Sequence, residues 1–152
     1  MTATNHALTG AVIGLAVGQP LIALPAAFLS HFVCDALPHY ASAEPPEKVL
    51  KTGGFRDYLM VEAGLCALIV LILAVTRPDN WLLASFCAFL AASPDFFWIN
   101  RYLKTRAGQV WRPNLFSRFA QGIQWFAKPI GAVFEAAWAA AAIIIIASFI
   151  RA

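Results

Sequence analysis

The sequence predicts an all-α fold: a polytopic transmembrane helical bundle of about four spanning helices, with a short N-terminal helix forming a hairpin and an amphipathic helix lying in the interface. Three observations predict it. Apolar residues make up 61% of the 152-residue chain and charged residues only 12%, with a mean hydropathy of +0.69, far from the roughly 45–50% apolar and 25% charged composition of soluble domains. Three apolar stretches reach the length of about 20 residues that a helix needs to cross a hydrocarbon core about 30 Å thick. The basic residues fall in connecting segments, where topology signals belong. Residues 1–152 are read as a single integral membrane domain.

Taken in chain order, the first apolar region, His6 to Leu37, is too long for one span. Gly18-Gln19-Pro20 interrupts it with a turn-and-restart signal. It therefore divides into a short helix, Ala7–Val17, and a helix of spanning length, Pro20–Leu37. Gly10, Gly14 and Gly18 recur at four-residue spacing on the short helix, a small-residue face suited to close approach by a neighbour. Pro38–Arg56, rich in Pro, Gly and charge, reads as an extramembrane loop. Tyr58–Thr76, Trp81–Leu103 and Pro129–Ile150 are the three plain spans, the first two joined by a tight turn at Arg77-Pro-Asp-Asn80. Leu103–Lys128 is longer. In it Leu115, Phe116, Phe119, Ile123 and Phe126 share one helical face, opposite Arg118, Gln121 and Gln124, as expected of a helix in the interface with Trp111 and Trp125 as belt residues.

Nine of the eleven basic residues lie in the 48–56 loop and around the 101–128 connection, which places that side in the cytoplasm and the chain in an inner (plasma) membrane as a multi-pass protein. The lipid bilayer is the expected partner. The net charge of +3 forms no clustered basic face, which excludes a nucleic-acid-binding reading. Met1 to Ala7 carries no Lys or Arg, so no cleavable signal peptide is expected. Cys34, Cys66 and Cys87 are odd in number, lack CxxC spacing and fall in apolar segments, as expected of reduced packing residues.

Ionisable residues inside such segments are costly, by about 2.5–3.5 kcal/mol at a helix centre on insertion scales, so each marks a candidate site. Asp35, Glu62, Asp95 and Glu135 are half of the eight acids, and all three histidines flank or enter the first hairpin. Glu62 is six residues from Arg56, Asp95 six from Arg101 and Glu135 seven from Lys128. At 1.5 Å per residue each lies about 9–10 Å from the basic boundary. His31 and Asp35, at i and i+4, share a helical face with His39 nearby beyond Pro38. His6 is about 37 Å from His31 along one straight helix; only the hairpin returns it to the same side. His6, His31, His39, Asp35 and Asp95 offer the mixed nitrogen and oxygen donors that zinc or manganese accepts, for one or two ions. Asp95 follows Pro94, a helix break able to aim a carboxylate into a cavity. Glu62 and Glu135 are expected either to orient the ligand imidazoles or to serve as general base toward a metal-bound water.

Structural readings stand beside these. His31 and Asp35 also suit a hydrogen-bonded pair joining two helices, Glu135 suits a helix-dipole partner, and Asn100 and Arg101 read as ordinary boundary residues. There is no GxSxG, Walker loop, HExxH or CxxC motif, and three carboxylates at one depth disfavour haem.

The Asn5-His6 start of a Gly-rich helix, the His31-x3-Asp35-x2-Pro38-His39 block and Ser93-Pro94-Asp95 late in a span together resemble the family of small bacterial inner-membrane proteins described as membrane-bound metal-dependent hydrolases. The family's more usual Pro-Asp-x-Asp-His form is not reproduced, since Phe96 and Phe97 follow Asp95. The resemblance implies metal-assisted hydrolysis of a phosphoester or lipid-linked substrate, here at the cytoplasmic leaflet. The alternatives are a metal or proton transporter, which calls for ionisable residues at both leaflets, and a structural membrane protein, which calls for no metal.

Overall fold

The computed structural model describes residues 1–151. The helices are α1 (Ala3–Val17), α2 (Pro20–Ala36), α3 (Pro46–Val49), α4 (Gly53–Thr76), α5 (Trp81–Ala92), α6 (Phe97–Arg106), α7 (Leu115–Gly122) and α8 (Gly131–Arg151), with a 3-10 turn at Ser93–Phe96 linking α5 to α6. No strand occurs among the described residues; the one β-type contact is an isolated bridge between His39 and Ala127. Three segments, Gly53–Thr76, Trp81–Arg106 and Gly131–Arg151, are long and apolar enough to cross a membrane. The apolar surface they leave bare, such as Val75 at 72% exposure and Ile144 at 69%, has no counterpart in a water-soluble fold of this size.

The hairpin forms where the sequence places its turn. Gly18 caps α1 in the left-handed conformation at φ +65°, which a residue without Cβ adopts freely. Pro20 then opens α2 at a position where its missing N–H costs nothing, while the Gln19 side chain accepts from the Leu21 amide at 2.6 Å. Gly18 therefore serves the turn and not the packing face. It lies against Asn80 in the turn between α4 and α5, so the hairpin tip lies at the end of the bundle away from His6, His31 and Asp35.

α1 is the hub of the fold. It touches α2, α4, α5 and α8, and Ala7, Leu8, Ala11 and Leu15 are all buried. Its approach to α5 is set by Gly10 and Gly14. A Cβ on Gly10 would lie 2.2 Å from the Cys87 carbonyl oxygen, and one on Gly14 would lie 2.3 Å from the Ala84 Cα. Ala84, Ala88 and Ala91 answer from α5, each buried. Small residues on both helices let the backbones close, which is how helices associate where lipid removes the hydrophobic drive.

The amphipathic segment is shorter than its sequence pattern. α6 continues the preceding span to Arg106, and only Leu115–Gly122 is helical beyond it. Phe116 also faces protein: its ring centroid is 4.5 Å from Phe97 and 6.0 Å from Phe32. The segment then returns to the bundle, where Lys128 N donates to the His39 carbonyl at 3.0 Å and Ala41 N donates to the Lys128 carbonyl at 3.3 Å.

Candidate metal centre

Four expected ligands meet at one end of the bundle, each set there by a different local feature. His6 comes from the first turns of α1, returned by the hairpin. His31 and Asp35 come from consecutive turns of α2, and Asp95 comes from the 3-10 turn. The imidazoles of His6 and His31 stack, with ring centroids 3.9 Å apart and planes 25° apart. Both turn Nε2 toward Asp35: His6 Nε2 is 3.2 Å from Oδ1 and His31 Nε2 is 3.5 Å from Oδ2. Asp95 Oδ1 stands 4.0 Å from His31 Nε2. His6, His31 and Asp95 can each offer a donor atom such that all three lie within 4.8 Å of one another.

Pro94 links the local sequence to this geometry. It has no N–H to continue the helical ladder, and the chain tightens into i to i+3 bonding over Ser93–Phe96. The carbonyl of Ala91, at this break, accepts from His31 Nδ1–H at 2.8 Å. That bond fixes the tautomer and leaves the Nε2 lone pair facing the carboxylates, the arrangement typical of metal-binding imidazoles. His6 has no equivalent support. Both its ring nitrogens are buried without an assigned hydrogen-bond partner, and Nε2 faces Asp35 Oδ1 at 3.2 Å. An unpartnered buried donor or acceptor costs about 1–3 kcal/mol. A cation faces Asp35 already: the amino group of Met1 pairs with Oδ1.

The remaining expected residues lie elsewhere. His39 is buried, but its Nδ1–H donates to the Leu37 carbonyl at 2.8 Å and its backbone rests on Gly131, where a Cβ would lie 2.1 Å away. It shapes the join between the 37–41 loop and α8, outside the ligand group. Glu62 and Glu135 are also outside it, and both serve the start of α1. Glu62 Oε2 accepts from the Thr4 amide and the Thr4 hydroxyl, each at 2.8 Å. Glu135 accepts from the Thr2 amide at 3.3 Å, Asn5 Nδ2 at 3.3 Å and the Tyr40 amide at 3.0 Å. Two carboxylates thus satisfy the free amides and positive dipole end of the helix that carries His6. They hold the start of the helix that presents that ligand.

One residue beyond the sequence-based set touches the site: Gln124 Nε2 donates to Asp35 Oδ2 at 3.4 Å. Gln124 sits on the polar side of an amphipathic pattern, and nothing in that pattern distinguishes it from a solvated residue. Asp95 and Gln124 also border a cavity of about 610 Å³. Asp95 is the accessible member of the group, its side chain 29% exposed against 4% or less for His6, His31 and Asp35.

In comparisons with known proteins, no family model matches the chain, nor does any curated protein or solved structure.

Proposed function

We propose that this chain is a membrane-embedded metal-dependent hydrolase that holds a divalent transition ion, zinc or manganese, through His6, His31, Asp35 and Asp95, and acts on a phosphoester or lipid-linked substrate at the cytoplasmic leaflet of an inner membrane. The observation that carries the reading is His6. A fully buried imidazole with neither nitrogen hydrogen-bonded, stacked on a second imidazole and facing a carboxylate, is an expensive arrangement for packing alone. It is the arrangement in which a nitrogen lone pair is kept for a cation. Two imidazoles and two carboxylates are a donor set that zinc and manganese both accept.

When bound, such an ion lowers the pKa of a water molecule and polarises the scissile group. The protein's share is positional. Ala91 orients His31, Glu62 and Glu135 anchor the helix that presents His6, and the glycine-lined α1–α5 contact sets the depth of His6 against Asp95. Asp95 faces the cavity, so substrate approaches from its side.

The test is metal content. Detergent-purified protein, dialysed against a weak chelator, is measured by inductively coupled plasma mass spectrometry beside His31→Ala and Asp35→Ala. Near-stoichiometric zinc or manganese in wild type, lost in both variants, is the expected result and justifies assaying phosphoester hydrolysis. Well-folded wild type that holds no stoichiometric metal after reconstitution with either ion would overturn the reading.

A further inference from the structure

The cavity beside Asp95 has a second polar feature, at Arg101. This guanidinium lies 4.8 Å from the ring centroid of Trp111 and 5.8 Å from that of Trp98, and its Nη2 donates to Glu47 Oε1 at 2.9 Å. The Arg101 side chain is 15% exposed, whereas that of Glu47 is 66% exposed. A positive charge is therefore fixed in the cavity wall by two aromatic faces, and its only carboxylate partner among the described residues comes from an outer loop. That partner sits on α3, a single turn bounded by Pro45 and Pro46. The Glu47 carboxyl is held below its ordinary range by its own backbone amide and by Arg101, so it is ionised and competes for the guanidinium. The cavity wall is largely apolar, with Val49, Leu50, Phe55, Leu59 and Ile99, and Glu44 is the one carboxylate that lines it beside Asp95.

Planar, always charged and weakly hydrated, arginine is the side chain suited to bidentate contact with phosphate oxygens. We propose that this cavity binds an amphiphile by its phosphate group, which takes the place of the Glu47 carboxylate on Arg101 while the apolar portion lies along the Val49, Leu50, Phe55 and Leu59 wall. Asp95 and Arg101 are six residues apart on one span, about 9 Å along its axis. The substrate class is accordingly a phosphate-bearing lipid whose headgroup reaches from Arg101 to the histidine and carboxylate group. The inference rests on the hydrolase reading for the consequence of binding, but binding itself needs no metal.

Protein stripped with chelator separates the two. Binding of dihexanoyl phosphatidic acid to detergent-purified protein is followed by isothermal titration calorimetry, with inorganic phosphate and dihexanoylglycerol as phosphate-only and tail-only probes. The expected result is saturable binding of the phosphatidic acid without metal, at least tenfold weaker in Arg101→Gln and several-fold tighter in Glu47→Gln, with both partial probes weaker. Glu47→Gln is the decisive variant. It removes the negative charge of an exposed carboxylate and keeps the side chain's shape. Glu44→Gln, which neutralises a cavity carboxylate paired with Lys48 and not with Arg101, is its control: a gain confined to Glu47→Gln reports competition for the guanidinium. Equal affinity for dihexanoylglycerol would overturn the phosphate contact, and equal affinity for inorganic phosphate would overturn the apolar one. Unchanged or weaker binding in Glu47→Gln would overturn the exchange at Arg101. Failure to take up stoichiometric metal on reconstitution, with phosphatidic acid binding retained, would refute the hydrolase reading and leave this one standing.

Discussion

Replacing Gly14 by alanine tests the packing on which the candidate metal centre depends. The new Cβ would lie 2.3 Å from the Ala84 Cα, 2.7 Å from the Ala84 N and 3.1 Å from the Ala84 Cβ. Carbon atoms in contact sit about 3.5–4.0 Å apart, so α1 and α5 must separate by more than an ångström at this point. The obstructing atoms are backbone and cannot rotate away, which places the cost near the upper end of the roughly 1–3 kcal/mol of overpacking. Alanine returns about 1 kcal/mol through its better helix propensity, leaving a net destabilisation of about 2 kcal/mol. Gly64 is the control. It lies within α4 with nothing inside 4 Å of its would-be Cβ, so Gly64→Ala keeps the propensity gain of up to about 1 kcal/mol without the clash. Unfolding both variants in mixed micelles by titration with sodium dodecyl sulfate gives the comparison, and the expected effects have opposite signs. His6, Gly10 and Gly14 recur every four residues and share one face of α1, so Gly14→Ala also weakens metal retention. A Gly14→Ala protein as stable as Gly64→Ala would show that the close α1–α5 contact is absent.

His39→Ala should keep the metal content of wild type, because the ring lies outside the ligand group; mass spectrometry beside His31→Ala checks this, and loss of metal would restore His39 to the ligand set. Glu62→Gln should lower the unfolding free energy by about 0.5–2 kcal/mol, the range for losing a charged cap at a helix start, since the Thr4 amide and hydroxyl lose their ionised acceptor; detergent thermal unfolding is the measurement, and an unchanged midpoint would sink the capping role. Zinc added at about 100 times its dissociation constant should stabilise the protein by about 2.7 kcal/mol, with chelator reversing the gain. A midpoint insensitive to zinc would contradict a site that forms only in the folded state.

What the sequence conveys about this bundle is height, and what it withholds is rotation. Counting residues from the basic boundary places Glu62, Asp95 and Glu135 at one level, and the structure gathers the first turns of α1, the end of α2 and the Pro94 break at one end. The apolar runs and the Gly18-Gln19-Pro20 signal were sufficient to return His6 to His31. Counting cannot say which way a side chain turns about its helix axis. Glu62 and Glu135 share the level of the imidazoles but turn to amides at the start of α1, a choice made by how four helices pack around a fifth. His39 lies beyond the Pro38 break, where helical projection no longer applies. Arg101 reads as a boundary arginine until the 41–51 loop folds over it, and loops carry no periodicity from which that closure can be inferred.

The central place of α1 has a consequence for biogenesis. α1 contacts α2, α4, α5 and α8, all of which follow it in the chain, so most of its partners do not exist when it leaves the ribosome. It must wait in the bilayer as a glycine-containing hairpin of 15 and 17 residues, shorter than an ordinary span and carrying an imidazole, until the later helices close around it. α8, made after the other helices described, supplies Glu135 to the Thr2 amide at the start of α1, so this helix is secured by a residue synthesised more than a hundred positions later.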